Sequence, residues 1–372
     1  MTNVSDRLLL DTALGCDLVT FIHRTVQTVA AGHPYLHNWH VEAMAWQLSR
    51  VLDGSVQRLI ITLPPRHLKS ICASVAFPAF ALGRDPTRKI ICVSYADQLA
   101  SKHAQDCRAV MQAAWYKRRY PGTRISREKN RELDFMTTAR GGRYATSIGG
   151  ALTGRGGDII VVDDPLKSSD AMSKAMRSLT NGTFDRAVYS RLDDKRHGAI
   201  IVVSQRLHSE DLVGHLLAKG EKWEHLCLPA IAETDQDIPI GPGRVYRRPT
   251  GEVLHEAHES RAVIDGMRVS LGSYTFSAQY QQCPVSADGG MIKWSWFLVY
   301  DEVPVREYDD AIVQSWDTAY KASQLAITRR ARPGLYGGVS ISCWTSYERS
   351  LCFRTCVGAS SSTPTRSARK PC

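Results

Sequence analysis

At 372 residues the chain is long enough for two domains with separate cores. Hydrophobic residues make up 43% and charged residues 23%, an ordinary globular balance, and no apolar run reaches the roughly 18 residues that a membrane span needs. The net charge is +10, but the stretch from Leu325 onward supplies +7 of it, so residues 1–324 carry only +3 and bulk basicity does not argue for nucleic acid there.

The opening Met1-Thr2-Asn3-Val4-Ser5-Asp6-Arg7 lacks the basic start of a signal peptide, and the expected compartment is the cytoplasm. Among the ten cysteines, Cys72, Cys92 and Cys227 sit in apolar stretches as small hydrophobes. Cys343, Cys352, Cys356 and Cys372 form no Cys-x2-Cys pair and have no histidine among them, which argues against zinc and against a disulfide framework.

Residues 7–31 read as helical, and the aromatic stretch 34–40 leads into a second helix through Arg50. Short β-branched runs then alternate with helical ones. Strands are predicted at Arg58–Leu63, Lys89–Ser94, Asp158–Asp163 and Ala199–Ser204, and helices at Ser70–Leu82, Asp97–Ala114, Ala171–Ser190 and Ser209–Lys219. This alternation predicts an α/β fold with a mainly parallel sheet flanked by helices, whose ligands sit at the carboxyl ends of the strands. From Glu233 to Pro304 prolines and glycines predict a loop-rich connector, broken by a helical stretch at Ser270–Gln282. A strand at Ala311–Trp316 opens a second domain.

Three segments carry chemistry. Leu63-Pro64-Pro65-Arg66-His67-Leu68-Lys69-Ser70 joins a strand to a helix and offers a lysine for terminal phosphates and a hydroxyl for Mg²⁺, although Leu63 and Leu68 stand where such loops usually have glycine. Alone it is equally an ordinary turn with a surface lysine. Ile159-Ile160-Val161-Val162-Asp163-Asp164 tips the balance: one carboxylate at a strand end can hold Mg²⁺ and its neighbour can orient or deprotonate water, whereas the alternative is a plain Asp-Asp-Pro turn. The third segment, Val202-Val203-Ser204-Gln205-Arg206-Leu207-His208-Ser209-Glu210-Asp211-Leu212, can sense a γ-phosphate, or simply cap a helix from Ser209. The glycine-rich stretch Gly149–Gly157 precedes the acidic strand as a loop suited to DNA or subunit contact.

Taken together, Pro-Pro-Arg-His-x-Lys-Ser, the glycine-rich loop running into Ile-Ile-Val-Val-Asp-Asp-Pro, and the Arg-x-His-x-x-Asp-Leu turn resemble the ATPase half of tailed-phage terminase large subunits, over about residues 34–230. The connector resembles theirs at Gln279–Gln282 and Gly289–Ile292. The resemblance implies a P-loop (Walker A) around Pro65, His67 and Leu68, with Lys69 and Ser70 on phosphate and Mg²⁺ and Arg66 on the γ-phosphate. It further implies Asp163 as metal ligand (Walker B), Asp164 as catalytic carboxylate, and Tyr35 and Trp39 beside adenine. It implies ATP and Mg²⁺ as cofactors, and double-stranded viral DNA, a portal protein and a small terminase subunit as partners. A homo-oligomeric ring on the procapsid, without membrane, is the implied assembly; the setting is the host cytoplasm rather than the mature virion. Leu68 departs from the commoner glycine, and a loop that wraps phosphate requires its side chain to pack back toward the sheet.

Ile312–Ala319 resembles the first strand of the family's ribonuclease-H-like nuclease, which makes Asp317 its first metal ligand. A two-metal site needs several carboxylates, and after Asp317 the chain has no Asp and only Glu348. Residues 325–372, rich in Arg, Ser, Gly and Cys, show no sustained helix or strand pattern and read as an out-of-frame or degraded tail. The expected layout is therefore an ATPase domain at 1–232, a connector at 233–308, an incomplete nuclease start at 309–324 and an aberrant tail at 325–372. The competing expectations are another P-loop translocase or helicase, and an inactive prophage remnant that at most binds nucleotide.

Overall fold

The computed structural model describes residues 12–30, 32, 34–152 and 154–284, and beyond them the backbone of six short strands between 311 and 354. It divides into two units, Met1–Val285 and Ser286–Cys372.

In the first unit the apolar runs become strands because each is apolar at both parities, as a sheet covered on both faces demands. The strands are β1 (Arg58–Thr62), β2 (Lys89–Ser94), β3 (Ile125–Asn130), β4 (Asp134–Thr137), β5 (Gly142–Ser147), β6 (Ile159–Asp163), β7 (Ala199–Ser204) and β8 (Glu224–Cys227). They form one sheet in the order β3-β4-β5-β2-β6-β7-β1-β8. All pairings from β5 through β8 are parallel, and β3 and β4 run antiparallel at one edge.

Leu59, Ile61, Ile90, Cys92, Val161, Ile201 and Val203 face one core with Phe21, Ile22, Met44, Phe77 and Phe80. These partners come from helices α1 (Leu18–Val29), α2 (Trp39–Leu52) and α3 (Phe77–Arg84). The intervening residues Ile60, Ile91, Val93, Ile160, Val162, Ile200 and Val202 face a second core with Phe184, Val188, Leu212 and Leu216. Phe21 anchors the first layer edge-on against Phe80 and Trp115, each with ring centroids 5.2 Å away. Asp17 starts α1 by accepting the Thr20 N–H at 2.7 Å.

The four strands predicted in this unit form, and several of the predicted helices are shorter or divided. The segment after β1 begins as a π-helical turn, Ile71–Ala76, before α3, and 171–190 breaks into a helix at Lys174–Thr183, a π turn at Phe184–Val188 and a 3₁₀ turn. Sequence patterning missed β3, whose Ile125–Asn130 is mostly polar as an exposed edge strand needs to be, its neighbours β4 and β5, and the four-residue edge strand β8. The connector contains a hairpin, β9 (Gln236–Gly241) with β10 (Arg244–Arg248), turned at Gly243 with φ 65°. Its helix runs over Arg261–Gln279 with a break at Gly272.

In the second unit the backbone of Ala311–Val313 pairs antiparallel with Gly334–Tyr336, and Trp316–Asp317 with Arg329–Arg330. Strands Arg329–Arg332, Ser340–Trp344 and Ser350–Arg354 continue that second sheet. This differs from the absence of strand pattern read in 325–372; arginines and serines mask the alternation that marks a strand. The Asp317 and Glu348 side chains, Gly289–Ile292 and residues 7–11 lie outside the described residues.

Four imidazoles join α2, the loop after β1 and residues 255–258: the His40 ring lies 5.6 Å from His67 and 5.3 Å from His255, and His67 lies 5.5 Å from His258. Burial, with the neighbouring rings adding to it, pushes His40 well below its ordinary pKa and His67 down to about 4. Burial likewise holds His103 and His225 at about 4. The unfolded chain takes up these protons near 6.5, so between that pH and 4 it binds more protons than the folded one. Stability is then full above the unfolded value and is lost as pH falls toward the folded value. Thermal melting should show a midpoint that drops steadily below pH 6.5; a flat midpoint across that window would mean that the buried imidazoles charge as readily in the fold as outside it.

Candidate functional site

Strand β7 pairs in parallel with both β1 and β6, setting Thr62 opposite Ser204 and Asp163 opposite Val203. The segments leaving β1, β6 and β7 therefore emerge side by side at the carboxyl edge of the sheet, although the first two lie far apart in sequence.

The loop after β1 is shaped by two left-handed residues, Arg66 (φ 66°) and Leu68 (φ 62°), alternating with His67 and Lys69. Alternation of this kind turns successive N–H groups toward a common concavity suited to an anion. Among the described residues no hydrogen bond engages the N–H of Leu68 or Lys69. Leu68 packs against the α1–α3 core. Arg66 is exposed and pairs with no carboxylate among the described residues. Pro65 is half-buried, and its carbonyl oxygen accepts from the His67 Nδ1–H at 2.9 Å.

Lys69 is buried, with Nζ 3.3 Å from Asp164 Oδ2. Asp163 has the parity of Val161 and so points to the side of the sheet where the 70–84 segment packs. Its buried carboxylate is gripped at both oxygens: Ser70 Oγ donates to Oδ1 at 3.0 Å and Ser74 Oγ to Oδ2 at 2.7 Å. His103 Nδ1 is 3.4 Å from Oδ2, but burial keeps that ring neutral and no hydrogen bond forms, so the contact is packing.

Asp164 follows with φ 44°, which turns its side chain back toward Lys69. Its Oδ1 accepts the Gln205 N–H at 3.4 Å. Burial raises the pKa of both carboxyls; the Lys69 charge opposes this at each, and the Ser74 and Ser70 hydroxyls oppose it at Asp163.

Beyond Gln205, Arg206 is held by both Asp211 oxygens at 3.0 and 2.9 Å, and its N–H donates to Gln282 Oε1 at 3.1 Å. Asp211, not Ser209, caps the following helix Leu212–Ala218, accepting the Gly214 N–H at 2.9 Å. In the glycine-rich loop, Arg155 reaches Asp134 at 2.6 Å and lies over the Tyr144 ring.

The structure thus brings together Lys69, Ser70, Asp163 and Asp164, and sets the Arg66–Leu68 turn beside them. Tyr35 and Trp39 have ring partners of their own: Tyr35 stacks on His23 at 4.5 Å, and Trp39 lies under Tyr246 at 4.4 Å with the Arg248 guanidinium 5.4 Å from its centre. Neither makes a hydrogen bond or ring contact with the loop. Sequence reading missed Ser74, Arg143 and the role of Gln282 as a contact of the β7 turn; only Ser74 left a signal, one helical turn past Ser70.

No family model matches the chain, and no curated protein matches it. Solved structures do. The large terminase of bacteriophage HK97 is similar over 91% of this chain and 67% of its own, with TM-score 0.44 and 13% identity. An ATPase-domain variant of the Thermus phage P74-26 large terminase is similar over 67% of this chain and 94% of its own, with TM-score 0.41 and 14% identity. The large terminase of the thermophilic bacteriophage D6E, solved with ADP, is similar over 83% of this chain and 68% of its own, with TM-score 0.41 and 10% identity.

The left-handed backbone at Leu68 makes a test of the loop. Leu68→Gly removes half-buried apolar surface and also relieves a backbone conformation that costs a side-chain-bearing residue about 1 kcal/mol, so the two effects should nearly cancel in chemical denaturation. Leu68→Val keeps an apolar group but adds β-branching in the same conformation, and should destabilise by about 1–2 kcal/mol. A valine variant as stable as the glycine variant would show that residue 68 is not held left-handed.

Proposed function

We propose that this chain is an ATP-hydrolysing motor of viral DNA packaging, a terminase large subunit whose nucleotide site is built on Lys69, Ser70, Asp163 and Asp164. The observation that carries the reading is the convergence of a lysine-serine loop and an acid pair across the end of β7, on a sheet whose order separates their strands by that one strand. The match of the loop, acidic-strand and Arg-x-His-x-x-Asp-Leu motifs to the terminase pattern supplies the packaging assignment.

The residues fit both cofactors. The concave loop and Lys69 suit the phosphates of ATP. Ser70 and Asp163 offer hard oxygen donors 3.0 Å apart. Such a pair suits Mg²⁺, an ion usually bound by one or two protein groups plus phosphate and water. Held by Ser70 and Asp163, Mg²⁺ would supply positive charge that offsets the charge developing on the phosphates.

The Lys69 ammonium pairs with Asp164 Oδ2; bound phosphates would draw it away and leave that oxygen free, in surroundings that raise the carboxyl's proton affinity. Asp164 Oδ2 can then take a proton from water as the water oxygen bonds to the γ-phosphorus and the bond to the ADP oxygen breaks. Gln205, bonded through its N–H to Asp164 Oδ1, lies where the γ-phosphate's loss is felt. Arg66 completes the loop as a γ-phosphate contact, and Tyr35 and Trp39 would flank adenine only after parting from their present ring partners.

As a packaging motor the chain would act in the host cytoplasm on double-stranded viral DNA, in a ring on the procapsid with a portal protein and a small terminase subunit. Among the described residues no helix is long and apolar enough to cross a membrane. Asp317 would be the first acid of a nuclease that residues 318–372, with Glu348 as their one acid, do not complete.

Lys69→Ala and Asp163→Ala should abolish ATP turnover, and Asp164→Asn should keep nucleotide binding while slowing hydrolysis by ~10²-fold or more in a phosphate-release assay. Normal turnover by Asp164→Asn would remove its assigned role. DNA should stimulate turnover without strand separation, since unwinding would point to a helicase. Plasmid DNA should stay intact with the 372-residue chain and Mn²⁺; Asp317-dependent cutting would show the nuclease to be complete by another route.

A further inference from the structure

Two buried residues outside the motifs converge on Asp163. Ser74, in the π turn that follows the loop, donates its hydroxyl to Asp163 Oδ2 at 2.7 Å. Its carbonyl accepts from Arg143 Nη2 at 3.1 Å. Arg143 rises from β5 and is only 1% exposed. Its charge acts on Asp163, His103, Cys92 and Cys107. Its guanidinium favours the charged form of the Asp163 carboxyl, after the Ser74 hydroxyl, the Lys69 ammonium and the Ser70 hydroxyl.

We propose that Ser74 and Arg143 are positioning residues for Asp163: Arg143 fixes the π turn through the Ser74 carbonyl, and Ser74 fixes the carboxylate so that Oδ1 is presented to a divalent cation. This rests on the proposed nucleotide site. There the Ser70 hydroxyl serves the metal, and its bond to Oδ1 gives way. The Ser74 bond to Oδ2 is the one that persists in both states, and it decides how the carboxylate is aimed. A π turn, uncommon and frequently found at functional sites, is what sets Ser74 and the anchored carbonyl on this path.

The test uses the whole chain and reads metal directly. Mn²⁺ binding in the presence of ADP is titrated by electron paramagnetic resonance, and affinity for a fluorescent ADP analogue is measured in EDTA. Ser74→Ala should weaken Mn²⁺ binding about tenfold or more, the scale of losing an outer-shell partner of a ligand, while metal-free ADP affinity stays unchanged. Ser74→Thr, which keeps the hydroxyl, should restore Mn²⁺ binding. Arg143→Lys keeps the charge but loses the rigid fork and should weaken Mn²⁺ binding in the same direction; the two Ser74 variants decide the matter if that protein does not fold. A folded Ser74→Ala with wild-type Mn²⁺ affinity overturns the positioning role and leaves the nucleotide site standing. Wild-type protein that binds neither ADP nor Mn²⁺ overturns both.

Discussion

The Asp163 carboxylate is the constraint around which this site is built. It sits at the end of a buried strand, where desolvation opposes its charge, and it is tolerated because two hydroxyls and two buried cations surround it. That requirement fixes much else. The segment after β1 must pass over the end of β6, Ser70 and Ser74 must share one side of their turn, and β5 must deliver a guanidinium from beneath. The loop is thus shaped from two directions, by whatever it cradles and by the carboxylate behind it.

Strain gathers in the same place. Of the five left-handed non-glycine residues among those described, Arg66, Leu68 and Asp164 lie in the site, and Gln282 bonds the turn after β7. Each holds a conformation that costs roughly 1–3 kcal/mol and persists only where its surroundings insist on it. The cores on both faces of the sheet supply that insistence. Leu68 shows how: its side chain, set against the core, pins a backbone shape that glycine would adopt freely but hold less firmly.

The central strands were legible because burial on both faces writes an unbroken β-branched run, as in Ile159–Val162 and Ile200–Val203. The loop and the acid pair were legible because their residue types are rare in that order. What escaped the sequence escaped for physical reasons. Strand β3 is charged because an exposed edge must be, so it carries no apolar signal. The hairpin at 236–248 hides among prolines and glycines. Ser74 and Arg143 act through tertiary contacts with a residue distant in the chain, and no spacing announces a partnership between β5 and a turn some seventy positions earlier. Ser209 looked like a cap because hydroxyls commonly are caps, but Asp211 satisfies several N–H groups at once and takes the place.

The place of β7 in the sheet has a consequence for how the molecule comes into being. Strands β1 and β6 never touch; each pairs with β7, the last of the three to leave the ribosome. Until residues 199–204 slot between them, the loop and the acid pair belong to separate halves with no common ladder, and Lys69 cannot meet Asp164. Such an inner, late-arriving strand pairs over long sequence separations, which favours slow closure of the sheet. The functional edge is consequently absent from every intermediate that lacks β7, and it arises together with the sheet's completion.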